Sequence, residues 1–228
     1  MSERTSQHGH GHGHGHGHRP FLPAMGERRS VRFYDVFGLL VGGPRMYRAV
    51  AGATRLDDTR APVVLDVGCG TGQLLRRVGR VHPDAQLVGI DPDDRMLDAA
   101  RRSAARSRVP AIRTARWGRG YAQDLPAGDG TVDRVLSSVM FHHLDADARG
   151  EMLAEVRRVL RPDGALVLAD FDGSPGRIPL TRRMRHSPMA AFGPGEVAAL
   201  LTAAGFTIRS REHVQLLIAG VEILYATP

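Results

Sequence analysis

From about Ala61 onward, short apolar runs alternate with amphipathic stretches. Residues 62–67 are apolar, β-branched and bounded by turn formers, the pattern of a buried strand. Residues 86–90, 115–121, 132–137 and 165–169 repeat it. Between them, residues 73–79, 93–106 and 145–160 predict helices. Met96, Leu97, Ala100 and Ala104 share one face of the second; Met152, Leu153, Val156 and Val159 share one face of the third. Arg161-Pro162-Asp163-Gly164 reads as a turn. Alternation of this kind predicts an α/β fold, a doubly wound, mostly parallel sheet covered on both faces. The end differs. After a helix over 196–204, two strands over 206–212 and 215–225 follow with no helix between them, and only an antiparallel pair joins so tightly. The expectation is seven strands with an antiparallel C-terminal edge hairpin.

Ahead of this region the pattern changes. Residues 31–50 are mostly apolar and predict a helix in two pieces, broken at Gly42-Gly43-Pro44 and rich in aromatics (Phe33, Tyr34, Phe37, Tyr47). Residues 1–19 are low in complexity, with His8, His10, His12, His14, His16 and His18 alternating with glycine. Such a tract buries no core, but its imidazoles suit divalent transition metals such as Zn²⁺, Ni²⁺ or Cu²⁺. The expected organisation is a His/Gly-rich tail over 1–19, an N-terminal helical lid segment over 20–60 and one domain over 61–228. A length of 228 residues with 42 % hydrophobic content suits one such core plus a tail.

Charge changes this picture little. The net charge is +7 and all 31 basic residues are arginine. The arginines are scattered with few aromatics among them, so no stacking groove for nucleic acid is expected. Cys69 stands alone, so no intrachain disulfide forms. No secretory h-region is visible, and the longest apolar stretch, near Gln215 to Tyr225, is broken by Glu222 and too short for a membrane span. A cytoplasmic protein without membrane contact is the expectation.

The candidate chemistry lies after the first strand, in Asp66-Val67-Gly68-Cys69-Gly70-Thr71-Gly72. A strand runs through three alternate glycines into a helix, so a ligand can approach the backbone and the free N–H groups of the helix start. The spacing departs from the dinucleotide G-x-G-x-x-G, with Gln73 where that motif has its third glycine. Asp66 disfavours a pyrophosphate and suits an ammonium. A ligand with nucleoside and amino-acid parts fits, and S-adenosylmethionine is one. Asp91 ends the second strand about 20 residues on, where a carboxylate can take both ribose hydroxyls.

At these residues the chain resembles the class I S-adenosylmethionine-dependent methyltransferases, especially the branch acting on quinones and other small molecules. Residues 132–138 and 160–166 are similar to the family's later motifs. The resemblance implies a Rossmann-like fold with a reversed final strand. It also implies S-adenosylmethionine as cofactor and a small-molecule acceptor, and places Asp66, Gly68, Gly70, Gly72, Asp91, Ala122, Ser138 and Tyr34 at the donor. Residues 120–126 occupy the adenine segment, but Tyr121 stands where the family usually has an acid; Asp124, a water or the Ala122 N–H then replaces it. N-terminal helices of such enzymes cover the donor, which suits a lid. Base candidates follow the fourth strand, at His142 and His143; the same pair also serves to pack or cap the next helix. Asp170 and Asp172 are comparable candidates. Arg177, Arg182, Arg183 and Arg185 lie on a long segment that suits an anionic acceptor or solvent. Two other readings stand beside this one: a nucleic-acid or protein methyltransferase, whose Asn/Asp-Pro-Pro-aromatic signature is missing, and a non-catalytic donor-fold protein with a metal-binding tail.

Overall fold

The computed structural model describes residues 42–177 and 192–228. The chain begins there with helix α1 (Gly43–Gly52), whose Pro44 sits in the first turn, where its missing N–H costs nothing. Next come β1 (Val63–Val67), α2 (Gln73–Val81), β2 (Gln86–Asp91), α3 (Asp94–Ala105), the short α4 (Pro110–Arg113), β3 (Arg116–Arg119) and β4 (Val132–Ser138). A 3₁₀ turn (Phe141–His143), α5 (Ala146–Val159), β5 (Leu160–Pro175), α6 (Glu196–Ala203), β6 (Thr207–Gln215) and β7 (Ala219–Thr227) complete it.

The seven strands form one sheet in the order β3-β2-β1-β4-β5-β7-β6. All neighbours through β5 are parallel; β7 runs antiparallel to both β5 and β6. The order reverses between β1 and β4, and a crevice at such a switch point is where ligands bind in open α/β sheets. The central strands read as continuous apolar runs because both their faces are covered. Ala165, Val167, Ala169 and Phe171 of β5 face one core with α1, α2 and α4; Leu166 and Leu168 face the other with α5 and α6.

Two elements differ from expectation. The hairpin turn falls at residues 216–218, not at His213-Val214, because His213 continues β6 opposite Glu222. The Arg161–Gly164 turn lies inside β5 as a bulge: β4 advances from Val132 to Arg134 while β5 advances from Leu160 to Ala165.

Caps and clamps set the element ends. Asp93 and Asp145 are N-caps, each carboxylate accepting a backbone N–H at 2.9 Å, from Arg95 and Ala148; each such cap contributes about 1 kcal/mol. Buried Arg134 on β4 donates to the carbonyls of Thr54 (2.6 Å), Asp133 (2.7 Å) and Arg55 (3.0 Å). Asp133 accepts from the Val63 N–H at 2.8 Å and from Arg161 at 2.7 Å. These contacts hold the segment after α1 under the amino end of the sheet, and α1 packs Met46, Val50 and Ala51 into the same core as Phe171 and Val221. No helix of the described residues is long and apolar enough to cross a membrane.

Candidate active site

The loop from β1 to α2 is tied to the end of β2. The N–H groups of Gly68 and Cys69 both donate to the Ile90 carbonyl at 2.9 Å. Gly72, the N-cap of α2, has φ +75°, and a Cβ there would lie 2.6 Å from the Trp117 ring, so only glycine fits. Asp91 Oδ2 accepts the Gly70 N–H at 2.9 Å while Oδ1 accepts the Asp93 N–H at 2.9 Å. Burial raises the Asp91 carboxyl above the usual range, against the pull of those two N–H groups.

Asp66 lies beneath this loop, 2 % exposed, and its carboxyl group makes no hydrogen bond or ion pair with any described residue. Burial, and next the nearby Asp91, push its carboxyl up to about 8. A buried acid without a partner fits a ligand that brings a cationic group. The same burial pushes the Cys69 thiol up, so it packs as an inert apolar group.

The adenine segment follows β3. Ala122 is buried, Asp124 is exposed, and Tyr121 pairs with Asp124 through an isolated bridge. Its far end is held from α5, where Glu155 accepts the Leu125 N–H at 2.9 Å. Arg158 grips that same Glu155 and donates to the Leu125 and Ala127 carbonyls. Glu155 and Arg158 are positioning residues that sequence reasoning missed. Their i,i+3 spacing was the available signal, and it is common on any solvated helix.

After β4, His142 turns back over β5. Its Nδ1 is 2.7 Å from Asp170 Oδ1, and its N–H donates to Asp170 Oδ2 at 3.0 Å. The two side chains are 3 % and 0 % exposed. Asp170 also accepts the Phe171 N–H at 2.7 Å, so its carboxyl oxygens are fixed by both backbone and ring nitrogens. Nδ1 toward Asp170 leaves Nε2 as the acceptor nitrogen, and Nε2 makes no hydrogen bond among the described residues. His143 packs its ring against that of His142 at 4.0 Å between centroids, tilted by 41°, and is exposed to solvent. Desolvation, then the adjoining His142, lower its pKa to about 4, too low for an effective base near neutrality. Ser138 is half-buried at the end of β4.

Farther along the same sheet edge lies a second polar group. Asp172 accepts from Ser174 Oγ at 2.6 Å and faces His213 Nε2 at 2.9 Å, and Glu222 pairs with Arg211 at 3.0 Å. Ser174 and Asp172 meet the same nitrogen of His213, so the three do not have the order of a hydrolytic triad. His213 carried no motif signal.

The structure thus brings Asp66, Gly68, Gly70, Gly72 and Asp91 together at the switch point, with Ala122 on the β3 side and Ser138, His142 and His143 after β4. Tyr34, the six tract histidines and Arg182, Arg183 and Arg185 lie outside the described residues. Among the described residues, no group of three or more His, Cys, Asp or Glu is arranged to hold a metal.

Known proteins share this fold and part of this sequence. Residues 64–164 match the methyltransferase domain family. The demethylmenaquinone methyltransferase of Symbiobacterium thermophilum is 36 % identical over 105 residues, 46 % of this chain and 40 % of that protein. The O-methyltransferase cnsE of Penicillium expansum is 34 % identical over 132 residues, 58 % of this chain and 45 % of that one. A methyltransferase structure from Aquifex aeolicus superposes with TM-score 0.64 at 20 % identity, covering 86 % of this chain and 95 % of that one. The chain spans about half or less of the length of these two curated relatives. The fold is a Rossmann-like α/β domain with a mostly parallel sheet of seven strands. Over residues 64–164 the chain is similar to the methyltransferase domain family, and its fold is that of S-adenosylmethionine-dependent methyltransferase structures.

Proposed function

We propose that this protein transfers the methyl group of S-adenosylmethionine to a hydroxyl or other proton-bearing atom of a small molecule. The observation that carries the reading is the His142–Asp170 pair beside the donor loop. The donor supplies an electrophilic methyl on a sulfonium sulfur. Asp66 receives the donor's ammonium and Asp91 its ribose hydroxyls, with Gly68 and Gly70 against the methionine arm and Ala122 against the adenine. Ser138 and Tyr34 belong to the same donor set. His142 Nε2 takes the acceptor proton as the new bond forms, and Asp170 holds the ring in the tautomer that leaves Nε2 free. His143 packs against His142 and shields it. Alignment of donor and acceptor contributes up to about 10 kcal/mol. Both curated relatives described above carry names of methyltransferases, one of demethylmenaquinone, and this supports a small acceptor. The N-terminal segment serves as a lid, the His/Gly tract takes up divalent transition metal, and the protein works in the cytoplasm.

The test is transfer of labelled methyl from S-adenosylmethionine to a panel of quinols, phenols and alcohols, with His142→Gln alongside. Transfer that His142→Gln abolishes supports the reading. Transfer only to protein or nucleic acid, or full activity in His142→Gln, overturns it.

A further inference from the structure

The turn after β4 places a side chain that no motif assigns. Val139 has φ +54°, the left-handed region, which is a costly state for a β-branched residue. The sheet holds it there: the Val139 N–H donates to the Ala169 carbonyl at 2.8 Å, and the His142 N–H donates to Asp170 at 3.0 Å. The His143 N–H closes the turn onto the Met140 carbonyl at 2.9 Å. The result is that Met140, half-buried, lies directly on the glycine loop. A Cβ at Gly68 would come within 2.4 Å of Met140 Cγ and 2.9 Å of its Cβ. Gly68 therefore has two reasons to be glycine, its φ of +73° and the thioether side chain laid across it.

Two walls follow. The glycine loop, pinned by Asp91, is one; Met140, set by the strained Val139, is the other. A ligand whose amino-acid arm reaches Asp66 past Gly68 has to run along Met140. We propose that Met140 contacts the donor, its thioether forming the wall against the methionine arm and sulfur of S-adenosylmethionine, and that the Val139 elbow fixes this wall relative to the His142–Asp170 pair. The inference rests on the donor site described above. Its chemistry is suitable: a polarisable, apolar thioether excludes water from the donor sulfur and adapts its shape to it. Because Val139 sits on the one turn that carries both Met140 and His142, the same backbone state spaces the donor from the base.

The experiment is calorimetry of the full chain with S-adenosylhomocysteine and S-adenosylmethionine, together with unliganded melting, for the wild type, Met140→Leu, Met140→Ala and Val139→Gly. Met140→Leu keeps an apolar wall and is expected within about threefold of wild-type affinity. Met140→Ala is expected to weaken both ligands about tenfold. Val139→Gly, which accepts the left-handed state but also leaves it freely, is expected to weaken binding several-fold without a matching loss of melting temperature. Met140→Ala binding within twofold of wild type, or a lower melting temperature with unchanged affinity, overturns the proposal and leaves Met140 a packing residue. No binding by the wild type overturns the donor site itself, a different result from normal wild-type binding with an indifferent Met140→Ala.

Discussion

Asp91 at the end of β2 and Gly70 in the loop after β1 are joined by one hydrogen bond, from the Gly70 N–H to Asp91 Oδ2 at 2.9 Å. The other oxygen holds the start of α3 through the Asp93 N–H. One carboxylate thus sets the loop and starts a helix. Asp91→Ala is expected to weaken S-adenosylhomocysteine binding by about 10- to 100-fold, or about 1.4–2.7 kcal/mol. Asp91→Asn, which keeps one acceptor oxygen, is expected to lose less. Calorimetry checks both, and unchanged affinity in Asp91→Ala would assign the carboxylate to loop structure alone.

Asp66 gives a pH dependence with a definite sign. Its carboxyl rises from 3.8 to about 8 on folding, mainly through burial. The folded state therefore holds a proton that the unfolded chain releases, and stability falls as pH rises from about 4 to about 8. Asp66→Asn is expected to flatten that fall by a few kcal/mol in urea unfolding followed across this range. Donor binding needs the carboxylate, so wild-type binding near pH 7 is expected to release a proton. Calorimetry in buffers of different ionisation heat reads that release, and Asp66→Asn should abolish it along with most of the affinity.

His142 and Asp170 predict a kinetic split. Asp170→Asn removes the carboxylate oxygen that accepts from and orients the ring, and is expected to slow methyl transfer by about 10²- to 10⁴-fold. Donor affinity should stay within about threefold, because the pair's hydrogen bonds among the described residues run to each other and to the Phe171 N–H, none to the glycine loop. His143→Gln is expected to change the rate by less than about tenfold. Equal losses in His143→Gln and Asp170→Asn would refute the assignment of the base to His142.

Arg134 predicts a stability effect remote from the chemistry. It is 8 % exposed and serves the carbonyls of Thr54, Arg55 and Asp133, while its guanidinium lies over the Tyr225 ring at 5.7 Å. Arg134→Met leaves buried carbonyls without donors and is expected to cost about 2–4 kcal/mol in urea unfolding. Arg134→Lys should recover little of this, since an ammonium cannot span three carbonyls in the guanidinium plane. Donor affinity of the folded fraction is expected to be unchanged.

Much of the architecture was legible from periodicity alone. The run at residues 62–67, the helical spacing of Met152, Leu153, Val156 and Val159, and two final strands without a helix between them led to the sheet observed. These are local signals, since burial on two faces or one leaves its period in the sequence. The glycine loop and Asp91 were legible for the same reason, because a strand-turn-helix ligand loop is contiguous. The hairpin turn was misplaced because His213 reads as a break in an apolar run, whereas it continues β6 opposite Glu222 with its Nε2 2.9 Å from Asp172.

The sequence by itself determined which segments form the doubly wound sheet and which strand-turn-helix carries the three alternate glycines, because both depend on neighbours along the chain. Tertiary structure decided the rest. It chose between Asp170 and Asp172 by putting only Asp170 under His142, 28 residues away. It left the Asp66 carboxyl group buried without a partner among the described residues, and it laid Met140 on Gly68 through a strained Val139. Each of these is a contact between segments far apart in sequence, fixed by strand order and register, and no local pattern encodes such a distance.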